Sequence, residues 1–338
     1  MERKEDRRSS MGMNQIKVSV IIPMYNVGKV MTRAIESLYA QTLPGIELIF
    51  VNDCSKDDTQ NRLEALLVSK EGFEVKIIQH TRNKGVAAAR NTGLDHATGE
   101  FIYYVDADDY IECNTLEILY NEAKRKEADI VGCEWFLSFK QNERAVKQAQ
   151  AENGDELFKK FAGGVIRWNL WLFLVKRSLY VDNDIRFIEQ MNMGEDMMVM
   201  MKLALNANKV SILNVPLYHY IQTNTNSLTK NFLAYKEQVT ANANEIALYV
   251  EQKSREDLKL DVLQLKLSLK LPLLISNRNS DYEMWMEWFP EANDVVDENK
   301  YLPWRTRFIQ QCASKKRYWV LKFYHFLFVK LFYGVIYR

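Results

Sequence analysis

Regular patterning begins near residue 17. Val18, Val20, Ile21 and Ile22 form a short apolar run halted by Pro23, which suits a buried strand. Behind it, Val30, Ala34 and Leu38 recur on one face at helical spacing. The alternation then repeats. Strands are predicted at 46–51, 75–79 and 101–105, with a fifth apolar run at 130–133, and helices at 57–68, 86–96 and 115–127. Strands alternating with helices across short loops predict an α/β fold, a mostly parallel central sheet with helices on both faces. In such sheets ligands bind beyond the carboxyl ends of the strands, so the chemistry is expected just after Ile22, Val51, Gln79 and Val105. Residues 140–155 are polar and read as an excursion, after which patterning resumes through Trp168, Trp171 and Phe173. A helix is expected at 197–206, and beyond Thr229 the pattern is helical almost throughout.

Composition narrows the picture. The 338 residues, 47% hydrophobic and 26% charged, suit one large folded domain with accessories. A net charge of +1 offers no bulk electrostatic case for nucleic acid. Cys54, Cys113, Cys133 and Cys312 are too far apart for a zinc ribbon or a disulfide framework, which points to reduced thiols in the cytoplasm. The first ten residues are charged and polar without the apolar core of a signal peptide, so 1–15 is expected to be a disordered tail.

The unusual residues cluster at the predicted strand ends. After the first strand comes Pro23-Met24-Tyr25-Asn26, and after the second Asn52-Asp53-Cys54-Ser55-Lys56-Asp57. Asp53 can accept a hydrogen bond from a base imide while Tyr25 packs against the base; equally, Asp53, Ser55 and Asp57 suit a turn and a helix cap. After the fourth strand stands Asp106-Ala107-Asp108-Asp109. In an extended backbone Asp106 and Asp108 would share a side and Asp109 would point elsewhere. Two carboxylates without histidine or cysteine suit Mg²⁺ or Mn²⁺ shared with phosphate oxygens, the alternative being a solvated acidic turn. Like charges so grouped are costly without a cation. Lys84 and Arg90, flanking Gly85 at a helix start, can present positive charge to a diphosphate. Glu195-Asp196 opens another helix, where Asp196 is either a cap or a base for an acceptor hydroxyl.

Together these segments resemble glycosyltransferase family 2, the inverting enzymes of the GT-A fold. VSVIIPMYN, VNDCSKDDT, NKGVAAARNTGLDHATGEFIYYVDADD and GEDMMVMMKL occur in the family's order and span residues 18–227. The resemblance implies a GT-A domain at 16–229, with a helical extension at 230–314 outside it. It implies that Pro23, Tyr25 and Asp53 hold the nucleotide, and that Asp106 lies near the ribose and metal. Asp108 would then ligate Mn²⁺ or Mg²⁺, and Asp196 would be the catalytic base with Glu195 beside it. Trp168 and Trp171 fall where relatives build the acceptor site, although core packing would equally suit either. The donor would be a nucleotide diphosphate sugar, UDP by resemblance, and the acceptor a saccharide or lipid-linked saccharide. Three departures stand out. Asn52 replaces a frequent acidic residue, and an arginine common near Ile221 is missing, with His219 a candidate further ligand. There is also no Q-x-x-R-W segment, so a single transfer per encounter is expected. Two other readings are a catalytically silent sugar-nucleotide subunit and a nucleotidyltransferase; the latter would need a glycine-rich loop where Met24-Tyr25-Asn26-Val27-Gly28-Lys29 stands.

Residues 315–338 combine Lys315, Lys322 and Lys330 near one helical face with Trp319, Phe323, Phe326 and Leu327 over much of the rest. Such a basic aromatic helix suits a membrane interface and peripheral attachment to the inner face of the cell membrane; packing on the protein's own domain is the alternative. Lys322 and Lys330 argue against a spanning helix.

Overall fold

The structure is a computed structural model that describes residues 15–68, 73–222, 233–298 and 302–327. The expected tail at 1–14, the end of the expected sugar-transfer domain at 223–229, and residues 328–338 of the expected C-terminal helix lie outside the described residues.

Four strands follow the expected pattern: β1 (Val18–Met24), β2 (Ile46–Asn52), β3 (Glu74–Gln79) and β4 (Phe101–Tyr104) pair in parallel in the order β3-β2-β1-β4. Every residue of β2 is buried because helices cover both sheet faces, whereas β3 lies at the edge and keeps partly exposed positions. The intervening helices are α1 (Thr32–Tyr39), α2 (Thr59–Leu67) and α3 (Val86–His96). Ala87, Ala88 and Ala89 are buried on α3, and their small side chains let it lie close on β1 and β2. In register, Met24 pairs with Asn52 and Asn52 with Gln79, so the loops after three strands emerge at one edge.

Beyond β4 the order departs from a simple alternation. The next strands are β5 (Tyr110–Ile111), β6 (Ile130–Ser138), β7 (Glu143–Val146), β8 (Phe173–Lys176) and β9 (Val210–Ile221). Among the described residues one sheet runs β3-β2-β1-β4-β8-β6-β9-β5, with β7 on β6. Strands β5, β7 and β8 run against the others, so the sheet is parallel in the main but mixed. The 130–133 run is the start of β6, yet β8 separates it from β4. The polar stretch at 140–155 is not simply an excursion, because β7 lies within it as a ribbon paired to β6 with largely exposed positions.

Four helices follow before the extension: α4 (Thr115–Lys126), α5 (Gly154–Ala162), α6 (Arg177–Asp182) and α7 (Glu195–Asn206). Helix α5 starts where the Asn153 side chain accepts the Glu156 amide, at capping-box spacing. The extension comprises α8 (Lys236–Gln252), α9 (Lys259–Leu269), α10 (Asn279–Glu287), α11 (Trp304–Ser314) and α12 (Tyr318–Tyr324). Helix α8 packs on α7 and α9 on α5, so Val239, Ile246 and Leu265 join the same apolar core as Val20 and Phe50.

The C-terminal segment is not one helix from residue 315. Lys316 adopts φ 52°, and the amides of Lys316 and Arg317 turn back onto Ala313 and Cys312, so Lys315 is separated from Lys322 by a bend. Leu321 is buried against the extension, and His325 Nδ1 lies 2.6 Å from the Ile275 carbonyl oxygen. The opposite side of α12 leaves Trp319 73%, Phe323 57% and Phe326 52% exposed. No described helix is long and apolar enough to cross a membrane.

Candidate active site

The loops after β1 and β2 are tied together by short polar side chains. Asn26, at φ 54°, accepts the Lys56 amide and donates its own amide to Ser55 Oγ. Asp57 accepts the amides of Gly28 and Thr59, and buried Asn52 accepts that of Ser55. Ser55 and Asp57 therefore shape the turn. Pro23 is half-buried at the end of β1, and Tyr25 stands 43% exposed at the cleft edge with a ring free to stack.

Asp53 is 2% exposed and already meets three groups. Its Oδ1 lies 2.6 Å from His80 Nδ1 and accepts the Lys84 amide at 2.9 Å, while Oδ2 accepts the Gly85 amide at 2.7 Å. A carboxylate has about four lone-pair sites, so Oδ2 keeps one acceptor position for a base. Gly85 sits at φ 91°, and a Cβ there would come within 2.3 Å of Asn192, so only glycine fits this turn. The Lys84 side chain is exposed, while its backbone N–H serves Asp53. His80 was not singled out from the sequence. Its place directly after β3, beside the strand end carrying Asp53, is the signal that could have found it.

The Asp106 segment is a turn, closed by the Asp109 amide on the Asp106 carbonyl at 3.0 Å, rather than the extended stretch expected. Asp106 and Asp108 remain partly open, while Asp109 faces inward as anticipated. It accepts the Tyr218 hydroxyl at 2.9 Å and the Ile221 amide at 2.8 Å, fastening β9 beside the turn. The charge of Asp108 acts on both neighbours.

Arg90 organises the other half. It sits one turn into α3, 4% exposed, with Nη1 2.7 Å from Glu195 Oε1 and 2.5 Å from Asp196 Oδ1, and Nη2 3.6 Å from Asp106. Burial opposes its charge, but Asp196, Glu195 and Asp106 together hold the guanidinium firmly protonated. It is thus engaged by carboxylates rather than turned toward a diphosphate as the sequence suggested. Burial, then the charge of Asp196, pushes the Glu195 carboxyl up to about 7 against the pull of Arg90. Burial, with the charges of Asp108 and Asp196, likewise raises Asp106 to about 6 against the pull of Arg90. Gly194, at φ 81°, lets the chain turn into α7 so that both acids project toward α3. Thus Asp106, Glu195 and Asp196 meet on one guanidinium, and Asp53 accepts the N-cap amide of the same helix.

The two tryptophans differ. Trp171 is 4% exposed, stacked on Tyr218 at 4.3 Å and on Tyr220 at 5.5 Å, with Trp135 edge-on at 6.0 Å. It offers no open face to a sugar, and its acceptor assignment gives way to a packing role behind the Tyr218–Asp109 anchor. Trp168 is only partly buried and keeps a surface. His219 is held between Glu112 at 2.8 Å and Glu143 at 3.0 Å, its ring stacked between Tyr110 and Phe136, so both nitrogens are engaged away from the aspartate turn. Among the described residues no group of three or more His, Cys, Asp or Glu side chains is arranged to hold a metal ion.

The family model for glycosyl transferase family 2 matches residues 19–193, and the chain belongs to that family. It is 31% identical over 277 residues to the glycosyltransferase EpsJ of Bacillus subtilis, covering 77% of each chain. Cholesterol galactosyltransferase of Borreliella burgdorferi is 29% identical over 309 residues, 86% of this chain and 85% of that one. The poly(ribitol-phosphate) beta-N-acetylglucosaminyltransferase TarS of Staphylococcus aureus is 32% identical over 216 residues, 61% of this chain and 35% of TarS. The crystal structure of TarS 1–349 in complex with UDP-GlcNAc superposes with a TM-score of 0.61 at 20% identity, covering 90% of both chains. The protein is a glycosyltransferase of mixed α/β, GT-A type, and the shared fold reaches well into the helical extension.

Proposed function

We propose that the protein transfers a sugar from a UDP-sugar to an acceptor hydroxyl with inversion at the anomeric carbon, one sugar per encounter. The observation that carries this reading is the meeting of Asp196, Glu195 and Asp106 on Arg90, on the helix whose N-cap amide is held by Asp53. TarS binding UDP-GlcNAc supports the donor class. In this reading Tyr25 stacks on the base, the remaining acceptor position of Asp53 takes a base N–H, and Pro23 and Lys84 flank the diphosphate path. Arg90 and Glu195 act by holding the acids around the donor rather than by touching it.

A divalent cation would offset the charge gathered here: one guanidinium faces Asp106, Glu195 and Asp196, with Asp108 adding to the negative charge, and burial makes that charge costly. Asp108, with Asp106, would hold Mn²⁺ or Mg²⁺, the remaining positions going to phosphate oxygens and water. When bound, the cation supplies neutralisation of the leaving diphosphate. Asp196 takes the acceptor proton as the new bond forms, and Trp168 contributes an apolar surface beside it. With one base and no carboxylate nucleophile, a single displacement inverts the configuration. Relatives named for cholesterol and for poly(ribitol phosphate) support an acceptor hydroxyl on a lipid or a cell-surface polymer; the saccharide or lipid-linked saccharide acceptor, in cell-surface polysaccharide or glycolipid synthesis, rests on the family resemblance. The exposed aromatic side of α12 supports contact with a membrane surface on the cytoplasmic side.

The test is a panel of nucleotide sugars and acceptors with Mn²⁺ or Mg²⁺, scored by nucleoside diphosphate release. A UDP-sugar should give metal-dependent release. Asp196→Asn should cut turnover by about 10²–10⁴-fold while still binding UDP, and Asp108→Asn should lose nearly all transfer. Parental turnover by Asp196→Asn would overturn the base assignment.

A further inference from the structure

We propose that Arg90 is a positioning residue: it ties down oxygen Oδ1 of Asp196 and so makes Oδ2 the oxygen that receives the acceptor proton. The inference rests on the reading of Asp196 as the base and adds which oxygen works and what fixes it.

The two oxygens of Asp196 are unequal. Oδ1 lies 2.5 Å from Arg90 Nη1, a short charge-assisted contact. Oδ2 has the Leu170 amide at 3.4 Å, a long and weak one. Leu170 opens the tight turn Leu170–Leu172, two residues after the partly exposed Trp168, so Oδ2 faces the backbone of the segment that carries that tryptophan. The oxygen left with lone pairs thus borders the stretch offered to an acceptor.

Without Arg90 this orientation would not persist. Asp196 lies in the first turn of α7, whose N-cap, Gly194, supplies no side chain to the free amides there. Those amides and the positive end of the helix dipole attract any nearby carboxylate, and an unanchored Asp196 would swing onto them. The guanidinium prevents this because it is itself held. Glu195 at 2.7 Å holds it from α7, Asp106 faces it at 3.6 Å from the turn after β4, and the Phe187 ring lies 5.7 Å from its carbon. A planar fork held at several points imposes direction, which a lysine ammonium does not.

A different role, gripping the donor diphosphate, would need guanidinium hydrogens pointed at the phosphates. Nη1 is shared by two carboxylates and Nη2 faces Asp106. Loss of Arg90 should therefore appear in turnover, not in donor affinity.

The experiment is a double-mutant cycle between Arg90→Gln and Asp196→Asn in the full chain, with kcat and donor KM from the UDP-sugar assay and UDP Kd by calorimetry. Arg90→Gln should lower kcat by at least about tenfold, leave donor KM and UDP Kd within about twofold, and cause little further loss in the Asp196→Asn background. Arg90→Lys, which keeps the charge, should fall between parent and Arg90→Gln, and it replaces Arg90→Gln in the cycle if that variant does not fold. Multiplying losses in the double variant, or a tenfold weaker UDP Kd with kcat retained, would overturn the proposal. If Asp196→Asn alone keeps parental turnover, the base assignment itself falls; if Asp196→Asn is inactive and the losses multiply, only the role of Arg90 falls.

Discussion

Glu195 carries a cost that its neighbours only partly offset. Its carboxyl ionises at about 7 in the folded protein against 4.5 ordinarily, because burial and the adjacent Asp196 outweigh Arg90. The folded state therefore keeps this proton at pH values where the unfolded chain has released it. The stabilisation is fully present below about 4.5 and is lost as pH rises through about 7. The metal-free protein should show a melting temperature that falls across this window, and Glu195→Gln should flatten the slope. An unchanged slope in that variant would assign the effect to another group. At this scale the sequence conveyed chemistry better than partnership. The acids at 53, 106, 108 and 196 stood out because carboxylates at strand and helix ends are conspicuous. That Arg90 serves two of them, together with Glu195, was invisible, since its partners lie 16 to 106 positions away in the chain. Trp171 misled for the converse reason: an aromatic side chain announces contact with something, but only packing reveals that it is Tyr218.

Elements with a strong local period were legible, and those made by distant pairing were not. Strands β1 to β4 and helices α1 to α4 follow their apolar periodicity closely. Strand β8 is four residues long and antiparallel to both neighbours, so neither length nor spacing marks it as the insert between β4 and β6. Strand β9 changes register against β6 between Gly132 and Trp135, which breaks any simple alternation. Helix α5 was legible in principle through Asn153 and Glu156 but lay in a stretch dominated by polar residues. Helix α12 packs through Leu321, as one of its two expected readings had it, and presents Trp319 and Phe323 outward beside Lys322, with exposed Phe326 just past its end; membrane contact through that side is the proposal. Burying one such aromatic in a bilayer interface contributes about 1.5–3 kcal/mol, roughly tenfold or more in affinity. Replacing all three with serine should therefore abolish binding to anionic vesicles in a sedimentation assay while leaving the melting temperature nearly unchanged. Vesicle binding equal to the parent's would rule out this face as the membrane contact.

Across the whole molecule one apolar core runs from the sheet through α5 and α7 into the extension, so the acids of α7 are braced from behind by α8. Asn242 of α8 donates to the Met193 carbonyl at 2.9 Å, beside the glycine that turns the chain toward Glu195 and Asp196. The extension therefore supports the proposed base. In the proposed function Asp196 is the base on the acceptor side and no carboxylate is assigned as nucleophile to the sugar. That reading calls for one displacement and one inversion. The most direct test is the anomeric configuration of the first product formed from a UDP-sugar of known configuration, read by proton NMR before any mutarotation. An α-linked donor should give a β-linked product; an α-linked product would contradict the single-base account.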